Sequence, residues 1–188
     1  NLFDIEVEVN DNGIEKVDIL GKVAEIRALL AGIMNNYMGR TLNAKELVDI
    51  ESAVIETYKE KGITQDKDSL YEKNAGEVNG KITLNKIKKK MPTLTDFQRI
   101  LATKKNSKEL AEILTGFLRG KSLGIFDCSS TVNTNDQLLE FDLSEISDEV
   151  TKFYANLVIT TWILEKYMKK NDKYPRKAVH IDEAWTII

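Results

Sequence analysis

The sequence has a single cysteine, Cys128, and a single histidine, His180, among its 188 residues. One cysteine cannot form an intrachain disulfide, which favours a reducing, cytosolic compartment. No apolar run approaches the length that spans a bilayer and no signal peptide is visible, so the sequence offers no membrane-spanning segment. The chain does not begin with methionine, and we expect both of its ends to be internal positions of a longer protein.

Neither sign of charge dominates, because 27 Lys and Arg residues stand against 30 Asp and Glu residues, for a net charge of −3. A globally basic surface for nucleic acid is therefore excluded. This argues only weakly against DNA, since a ring that grips DNA through pore loops needs no global basic field. With 42% hydrophobic residues, the chain has apolar material for one compact domain or for a small core with an inserted subdomain.

Two helical patterns follow a short strand-like segment at residues 3–9. The first pattern has apolar residues at spacings of three and four and ends at Gly39. The second begins at Asn43, which forms a capping-box pattern with Glu46, and runs to Gly62. The apolar stripe of the first helix consists of Val23, Ile26, Leu30, Ile33 and Tyr37.

A polar, lysine-rich stretch with glycine and asparagine breakers occupies residues 64–90 and predicts a mobile loop. After it, Thr95 with Gln98 predicts one short capped helix, and Ser107 predicts the start of another. These capped helices indicate an α-helical subdomain over about residues 22–120.

The pattern then changes to strands around a long helix. Residues 123–127 and 138–143 are strand-like, Ser147 opens a helix that runs to about Lys170, and residues 177–182 form another strand. The order strand, long helix, strand predicts a βαβ unit with a parallel sheet, and therefore an α/β fold.

Residues 178–183, Ala-Val-His-Ile-Asp-Glu, form an apolar run that ends in two acidic side chains. In P-loop NTPases, a buried strand delivers an Asp to its C-terminal tip beside the bound phosphates, where the carboxylate holds the Mg²⁺ shell. A neighbouring Glu can polarise the attacking water. The run therefore predicts a Walker B strand; the alternative is an ordinary core strand that continues into an acidic turn.

The triplet Gly120-Lys121-Ser122 looks like the end of a phosphate-binding Walker A motif, but its context is inverted. The motif needs a glycine five residues before Gly120, where the sequence has Thr115. A phosphate cradle also needs a strand, a loop and then a helix N-terminus, whereas here a helix precedes the triplet and a strand is predicted after it. We interpret Gly120 as a helix C-cap.

Taken in order, several segments resemble the conjugative-transfer ATPases of type IV secretion systems, the TraC/TrwK-like branch of the FtsK–HerA superfamily of P-loop motors. Apart from the Walker B run, no single segment is specific, but the ordered set covers essentially the whole chain. The segments are Asn-Leu-Phe-Asp at 1–4, where Leu2 replaces the usual Pro, Met-Pro-Thr-Leu at 91–94, Phe-Asp-Cys-Ser-Ser-Thr at 126–131, where Cys128 replaces the usual Gly, Phe-Asp-Leu at 141–143, and His-Ile-Asp-Glu-Ala-Trp at 180–185.

The resemblance implies a partial RecA-like P-loop core with an inserted α-helical subdomain. Residues 1–21 would start the core, residues 22–120 would be the insertion, and residues 121–188 would return to the core and end at Walker B. The implied cofactors are ATP and Mg²⁺, with Asp182 as the carboxylate that holds Mg²⁺ through water and Glu183 as the catalytic base.

The resemblance also implies a cytoplasmic motor that is peripherally associated with the inner membrane. Such a motor would form a homo-hexamer and work with other type IV secretion components, with DNA as a possible partner. The P-loop of the family would lie upstream of residue 1, and its arginine and sensor positions downstream of residue 188. We therefore expect this chain alone to be inactive as an ATPase.

Two alternatives stay open at this point. The first is a DNA translocase of the FtsK or HerA type, which belongs to the same class of motor. The second is a non-enzymatic helical docking module, in which the acidic end of the last strand is only structural.

Overall fold

The computed structural model describes residues 1–9, 12–72, 76–78, 81–83, 87–131, 138–168 and 178–180. Over these ranges the chain is mainly helical, with two small two-stranded antiparallel sheets. The strands and helices are β1 (Val7–Val9), β2 (Glu15–Val17), α1 (Ile19–Met38), α2 (Ala44–Glu60), β3 (Gly76–Val78), β4 (Lys81–Thr83), α3 (Leu94–Leu101), α4 (Lys108–Leu114) and α5 (Glu149–Ile163). Single 3₁₀ turns occupy Lys67–Leu70, Thr115–Phe117 and Gly124–Phe126, and a π turn, Leu164–Met168, extends α5.

The helices α1 and α2 confirm the predictions from periodicity and end signals. Gly39 ends α1 in the left-handed conformation, at φ 63°, which glycine adopts without a steric penalty. Asn43 caps α2: its side-chain oxygen accepts from the N–H groups of Lys45 and Glu46, while the Glu46 carboxylate accepts from the Asn43 N–H at 2.9 Å. Arg27 of α1 joins the two helices by donating to the Leu47 carbonyl at 2.7 Å.

The region beyond α2 holds more regular secondary structure than predicted. The described part of residues 64–90 is not a plain loop, because it holds a 3₁₀ turn, the antiparallel pair β3–β4 and an isolated bridge between Tyr71 and Lys88. A run of polar residues does not reveal such pairing, because a hairpin depends on cross-strand partners rather than on composition.

The helix α3 is capped two residues earlier than predicted. Its capping box consists of Thr93 and Asp96, whereas Gln98 donates its side-chain amide to the Ala111 carbonyl of α4 at 2.9 Å. Ser107 stands at the N-cap of α4 as predicted, but its hydroxyl donates to Asp49 at 3.1 Å instead of accepting from the helix. Both differences arise because the side chains find partners on neighbouring helices.

The strands predicted at residues 123–127 and 138–143 are wrong. The first segment contains a 3₁₀ turn at Gly124–Phe126, where a Cβ on Gly124 would lie 2.0 Å from the Leu118 carbonyl oxygen. The second segment alternates exposed and half-buried residues, but no ladder partner pairs with it among the described residues. Its inner side chains pack against α5, as the edge-to-face contact of Phe141 with Trp162 at 5.8 Å illustrates.

The predicted βαβ unit is therefore absent from the described ranges, where both sheets are antiparallel. The long helix is confirmed, but Asp148 rather than Ser147 is its N-cap. Gly120 is not a helix C-cap, because Leu118 already ends the 3₁₀ turn that follows α4, although its φ of 83° does require glycine. The RecA-like core and the domain boundaries stay predictions.

One hydrophobic core joins the beginning of the chain to all five helices. Because helical side chains at spacings of three and four share a face, each helix contributes an apolar stripe to it. None of the described helices is long and apolar enough to cross a membrane. The core members that are 1% exposed or less are Phe3, Ile5, Val17, Ile26, Leu30, Met34, Ile50, Ala53, Val54, Tyr58, Ile63, Leu70, Phe97, Leu101, Leu110, Ala111, Leu114 and Tyr154.

We predict that Asn43→Ala lowers the free energy of unfolding of the chain by about 1 kcal/mol, because two N–H groups at the start of α2 lose their acceptor. Urea denaturation followed by circular dichroism measures the change. The control is Asn36→Ala, the same substitution on the exposed surface of α1, where higher helix propensity should leave stability equal or slightly higher. Equal losses from both variants would contradict the capping role.

Candidate functional site

The two residues predicted to carry catalysis, Asp182 and Glu183, lie outside the described residues. Of the Walker B run, the structure describes only residues 178–180, which are exposed and have no regular secondary structure. The assignment of Walker B, and of Asp182 and Glu183 to their roles, therefore stays a prediction.

The segment at residues 1–6, called here the 1–6 segment, lies at the centre of the described fold. Its first five residues are each 9% exposed or less, and Phe3 is fully buried. A non-regular segment in such a position must find partners for its backbone and polar side chains, because an unpaired buried polar group costs about 1–3 kcal/mol. Those partners come from α2, from the end of α5, from Lys88 and from two of the segments that resemble the secretion ATPases.

Asn1 and Phe3 bind the helices α2 and α3 to the 1–6 segment. The Asn1 side chain donates to the Pro92 carbonyl at 2.9 Å and accepts from the Phe3 N–H at 3.1 Å. The Phe3 ring contacts the rings of Phe97, at a centroid distance of 5.5 Å, and Tyr58, at 6.2 Å. The buried Tyr58 hydroxyl donates to the Phe3 carbonyl at 2.8 Å, so this hydroxyl and this carbonyl each have a hydrogen-bond partner.

Asp4 binds the segment at residues 126–131. The Ser130 hydroxyl donates to the Asp4 carboxylate at 2.6 Å, and the Asn1 backbone nitrogen donates to Ser130 Oγ at 3.0 Å. Lys166 at the end of α5 lies 3.6 Å from the same carboxylate. Asp4, which is 4% exposed, thus has both a hydroxyl donor and a cation.

Asp127 joins residues 126–131 to the start of α3. Its carboxylate accepts from the N–H and the hydroxyl of Thr95, and from the Arg119 N–H at 2.8 Å. A carboxylate at a helix N-terminus interacts favourably with the free N–H groups and the helix dipole there. The neighbouring ring of Tyr154 packs edge-to-face on Phe117, and burial together with the Asp127 charge raises the pKa of its hydroxyl.

A partly buried charge network continues from Glu6 into α1 and α5. The Glu6 carboxylate pairs with Lys88, at 2.7 Å, and with Lys166, while the Glu6 N–H donates to Glu165 at 3.3 Å. Lys22 of α1 is fully buried and pairs with Glu25 at 2.6 Å and with Glu165 at 3.6 Å.

The charges in this network set the ionisation of its members. Burial alone raises the pKa of the Glu6 carboxyl, but Lys88 and Lys166 outweigh burial, so that pKa lies below its ordinary value. Burial alone lowers the pKa of Lys166, but Asp4 and Glu6 outweigh burial, so that pKa lies above its ordinary value. Glu6 and Lys166 therefore stay ionised across the neutral range.

The arrangement favours holding a structure rather than performing chemistry. Its carboxylates accept from named donors, so none of them is placed as a free base. In the described ranges, no group of three His, Cys, Asp or Glu side chains could hold a metal ion. Cys128 is exposed, and its thiol lies 3.7 Å from the Ile125 carbonyl oxygen.

The sequence predictions missed Lys22, Glu165 and Lys166. A signal for two of them was present, because each charged residue stands in register with an apolar stripe. Lys22 precedes Ile26 by four positions on α1, and Glu165 follows Trp162 by three on the α5 stripe. A charge at a core-facing position predicts a buried partner, but the partner itself cannot be read from local spacing.

Comparisons with known proteins show a likeness of fold. No protein-family model matches the chain, and no curated protein matches it. The solved structure of VirB4 of Thermoanaerobacter pseudethanolicus matches over 100% of this chain, with a TM-score of 0.70 and 17% sequence identity. The chain spans 64% of that VirB4 chain. At this identity the likeness shows that the two chains share a fold, which by itself does not assign an activity.

We predict that the Glu6 carboxylate makes stability depend on acid pH. The pKa of the Glu6 carboxyl is lower in the folded chain than the ordinary 4.5. The charged carboxylate therefore stabilises the fold fully above pH 4.5, and this stabilisation is lost as the pH falls through the folded pKa. Glu6→Gln should therefore lose less stability than the wild-type chain between about pH 6 and pH 3. Urea denaturation at a series of pH values measures, for each of the two proteins, how the free energy of unfolding changes with pH.

The control for this prediction is Glu112→Gln, at an exposed position of α4 outside the network, which should follow the wild-type slope. A Glu6→Gln slope that coincides with the wild-type slope would show that Lys88 and Lys166 do not stabilise the Glu6 charge.

Proposed function

We propose that this chain is part of an ATP-hydrolysing motor that powers DNA or protein transfer through a conjugative type IV secretion system. The observation that carries the proposal is the shared fold with VirB4, a type IV secretion ATPase, over the full length of the chain. The resemblance of the sequence to the same class of ATPases supports it independently.

The contacts of the 1–6 segment give a physical reason to treat the segments that resemble the secretion ATPases as one set. Three segments chosen by resemblance alone, residues 1–4, 91–94 and 126–131, bind one another through Asn1 with the Pro92 carbonyl and Asp4 with Ser130. Chance matches spread over 130 residues would have no reason to meet in one buried cluster. Their contacts are architectural, so they support the family rather than a catalytic role for these residues.

The proposed chemistry rests on Asp182 and Glu183. A carboxylate oxygen is the ligand type that Mg²⁺ prefers, so Asp182 suits a water-mediated contact with the metal of Mg·ATP. When bound, Mg²⁺ neutralises charge on the phosphate oxygens. Glu183 would orient and polarise the water that attacks the γ-phosphoryl group.

The phosphate cradle would come from residues outside this sequence. Gly120-Lys121-Ser122 is followed in the structure by a 3₁₀ turn, not by the helix N-terminus that a phosphate loop needs. The chain spans 64% of the VirB4 chain, and a whole protein of that length would have room for the loop. We further propose that the whole protein is a cytoplasmic homo-hexamer, peripherally associated with the inner membrane and with other secretion components, and that residues 1–21 and 121–188 belong to its RecA-like core.

We predict that Glu183→Gln in the whole protein abolishes ATP turnover but preserves binding of Mg·ATP, because the amide cannot accept a proton yet leaves Asp182 in place. Steady-state hydrolysis and equilibrium binding of a fluorescent ATP analogue measure the two properties. Glu145→Gln, at an exposed position in the described part of the chain, is the matched control and should keep wild-type turnover.

Retained turnover in Glu183→Gln would remove that residue from its role. A whole protein without turnover and without a Gly-Lys-Ser/Thr phosphate loop would favour the docking module. Turnover that requires double-stranded DNA would favour the FtsK or HerA type of translocase.

A further inference from the structure

The helices α1 and α5 pack side by side in opposite directions. A Cβ on Gly32 of α1 would lie 2.9 Å from Cζ of Phe153, so the Phe153 ring lies directly against that glycine. At the other end of the contact, the Lys22 ammonium group lies 3.6 Å from the carboxylate of Glu165, in the π turn that extends α5. The earlier residue of α1 thus meets the later residue of α5, which makes the two helices antiparallel.

Apolar contacts leave the slide of α5 along α1 poorly defined. No residue from 150 to 163 is exposed and only Lys152 among them is charged, so α5 is apolar around most of its circumference. The Phe153 ring needs a small residue opposite it, and Ala28 lies one turn before Gly32 on the same side of α1. A slide of one turn, about 5.4 Å, would therefore keep a small residue under the ring.

The charged contact does not tolerate the same slide. One turn in that direction would bring Glu165 to the position of Asp18, and two carboxylates repel each other. One turn in the other direction would bring Glu165 to Ile26, whose side chain has no hydrogen-bond donor. Because Glu165 is 1% exposed, water cannot replace the lost partner, and a buried unpaired charge is strongly unfavourable.

Glu165 is the member of the network that distinguishes one register from another. Lys22 is fully buried, but it also pairs at 2.6 Å with Glu25, which lies on the same helix and would stay beside it in every register. Glu165 instead takes both of its described partners from other segments: Lys22 of α1 and the Glu6 N–H, which donates to it at 3.3 Å. Both contacts hold in a single position of α5.

Stability alone does not explain why ions occupy this position. Desolvating a buried pair costs about as much as the pairing returns, and apolar residues of similar size are often as stable. An ion pair differs from an apolar contact in direction, because the ammonium group meets its carboxylate at one relative position of the two helices. In coiled coils, a single buried polar residue fixes register in this way at a cost in stability.

We propose that the buried pair of Lys22 and Glu165 selects one register of α5 on α1 from several that apolar packing alone would allow. The pair acts in this way whatever reaction the whole protein performs, so the inference does not rest on the proposed function.

The test follows the ring of Trp162 in the whole protein labelled with 5-fluorotryptophan. Trp162 lies on the buried side of α5 and packs edge-to-face on Phe141 at 5.8 Å, so its fluorine resonance changes when α5 slides. The resonance is assigned by its loss in Trp162→Phe. The wild-type protein should give one sharp Trp162 resonance.

The double variant Lys22→Met with Glu165→Met removes both charges together and should stay folded. Its Trp162 resonance should split into two or more, or broaden by exchange, because shifts of helix register occur in microseconds to milliseconds. A single sharp Trp162 resonance in the folded double variant would overturn the proposal.

Two controls separate loss of register from a general loosening of the fold. Arg27→Met with Glu51→Met removes an ion pair of 2.6 Å that joins α1 to α2 rather than to α5. Ile50→Ala removes a fully buried side chain from α2 and destabilises the protein away from the α1–α5 contact. Both should keep one sharp Trp162 resonance, and splitting in either control as large as in the double variant would contradict a specific role for Lys22 and Glu165.

If circular dichroism shows that the double variant does not fold, Glu165→Gln decides. The amide keeps the size of the side chain and an acceptor for the Glu6 N–H, but it removes the charge that Asp18 repels and that Lys22 pairs with. A second Trp162 resonance in Glu165→Gln supports the proposal, and a single sharp resonance overturns it.

Discussion

Burial of the 1–6 segment, with its polar groups paired, is the constraint on which the described fold depends. A non-regular segment at the centre of a domain is tolerated only when its polar groups find partners in the elements around it. Here those partners lie on different elements: Pro92 before α3, Tyr58 on α2 and Ser130 beyond α4. The Phe3 ring also packs on Phe97 of α3. Each element is therefore positioned relative to the same six residues, and the apolar core forms around them.

The sequence predicted the features that local interactions decide. The ends of α1 and α2 were visible because Gly39 and the pair Asn43 and Glu46 act within one turn of the helix they end or begin. The strands at 123–127 and 138–143 were predicted wrongly, because alternation shows which side of a segment is buried but not whether a neighbouring strand completes a ladder. The half-buried face of residues 138–143 packs on α5, which gives the same alternation as a sheet.

In the candidate site too, the sequence predicted residues from local patterns but not the contacts that the tertiary fold makes. Asp182 and Glu183 were chosen from a local pattern, and they remain predictions. The network of Lys22, Glu165 and Lys166 was missed because, apart from the local pair of Lys22 with Glu25, its pairs join residues that only the tertiary fold brings together. Resemblance selected residues 1–4, 91–94 and 126–131 without a physical reason, and their mutual hydrogen bonds now provide one. The shared fold with VirB4 agrees with that resemblance at the level of the fold.

If the described fold depends on the 1–6 segment, that segment cannot leave its position unless the whole fold opens. Native-state hydrogen exchange of the Phe3 and Glu6 amides, compared at rising denaturant with the amides of Ile50 and Val54 in α2, tests it most directly. We expect all four amides to exchange through global unfolding, with the same dependence on denaturant. Exchange of Phe3 and Glu6 at a rate that does not change with denaturant, while the α2 amides stay protected, would contradict it.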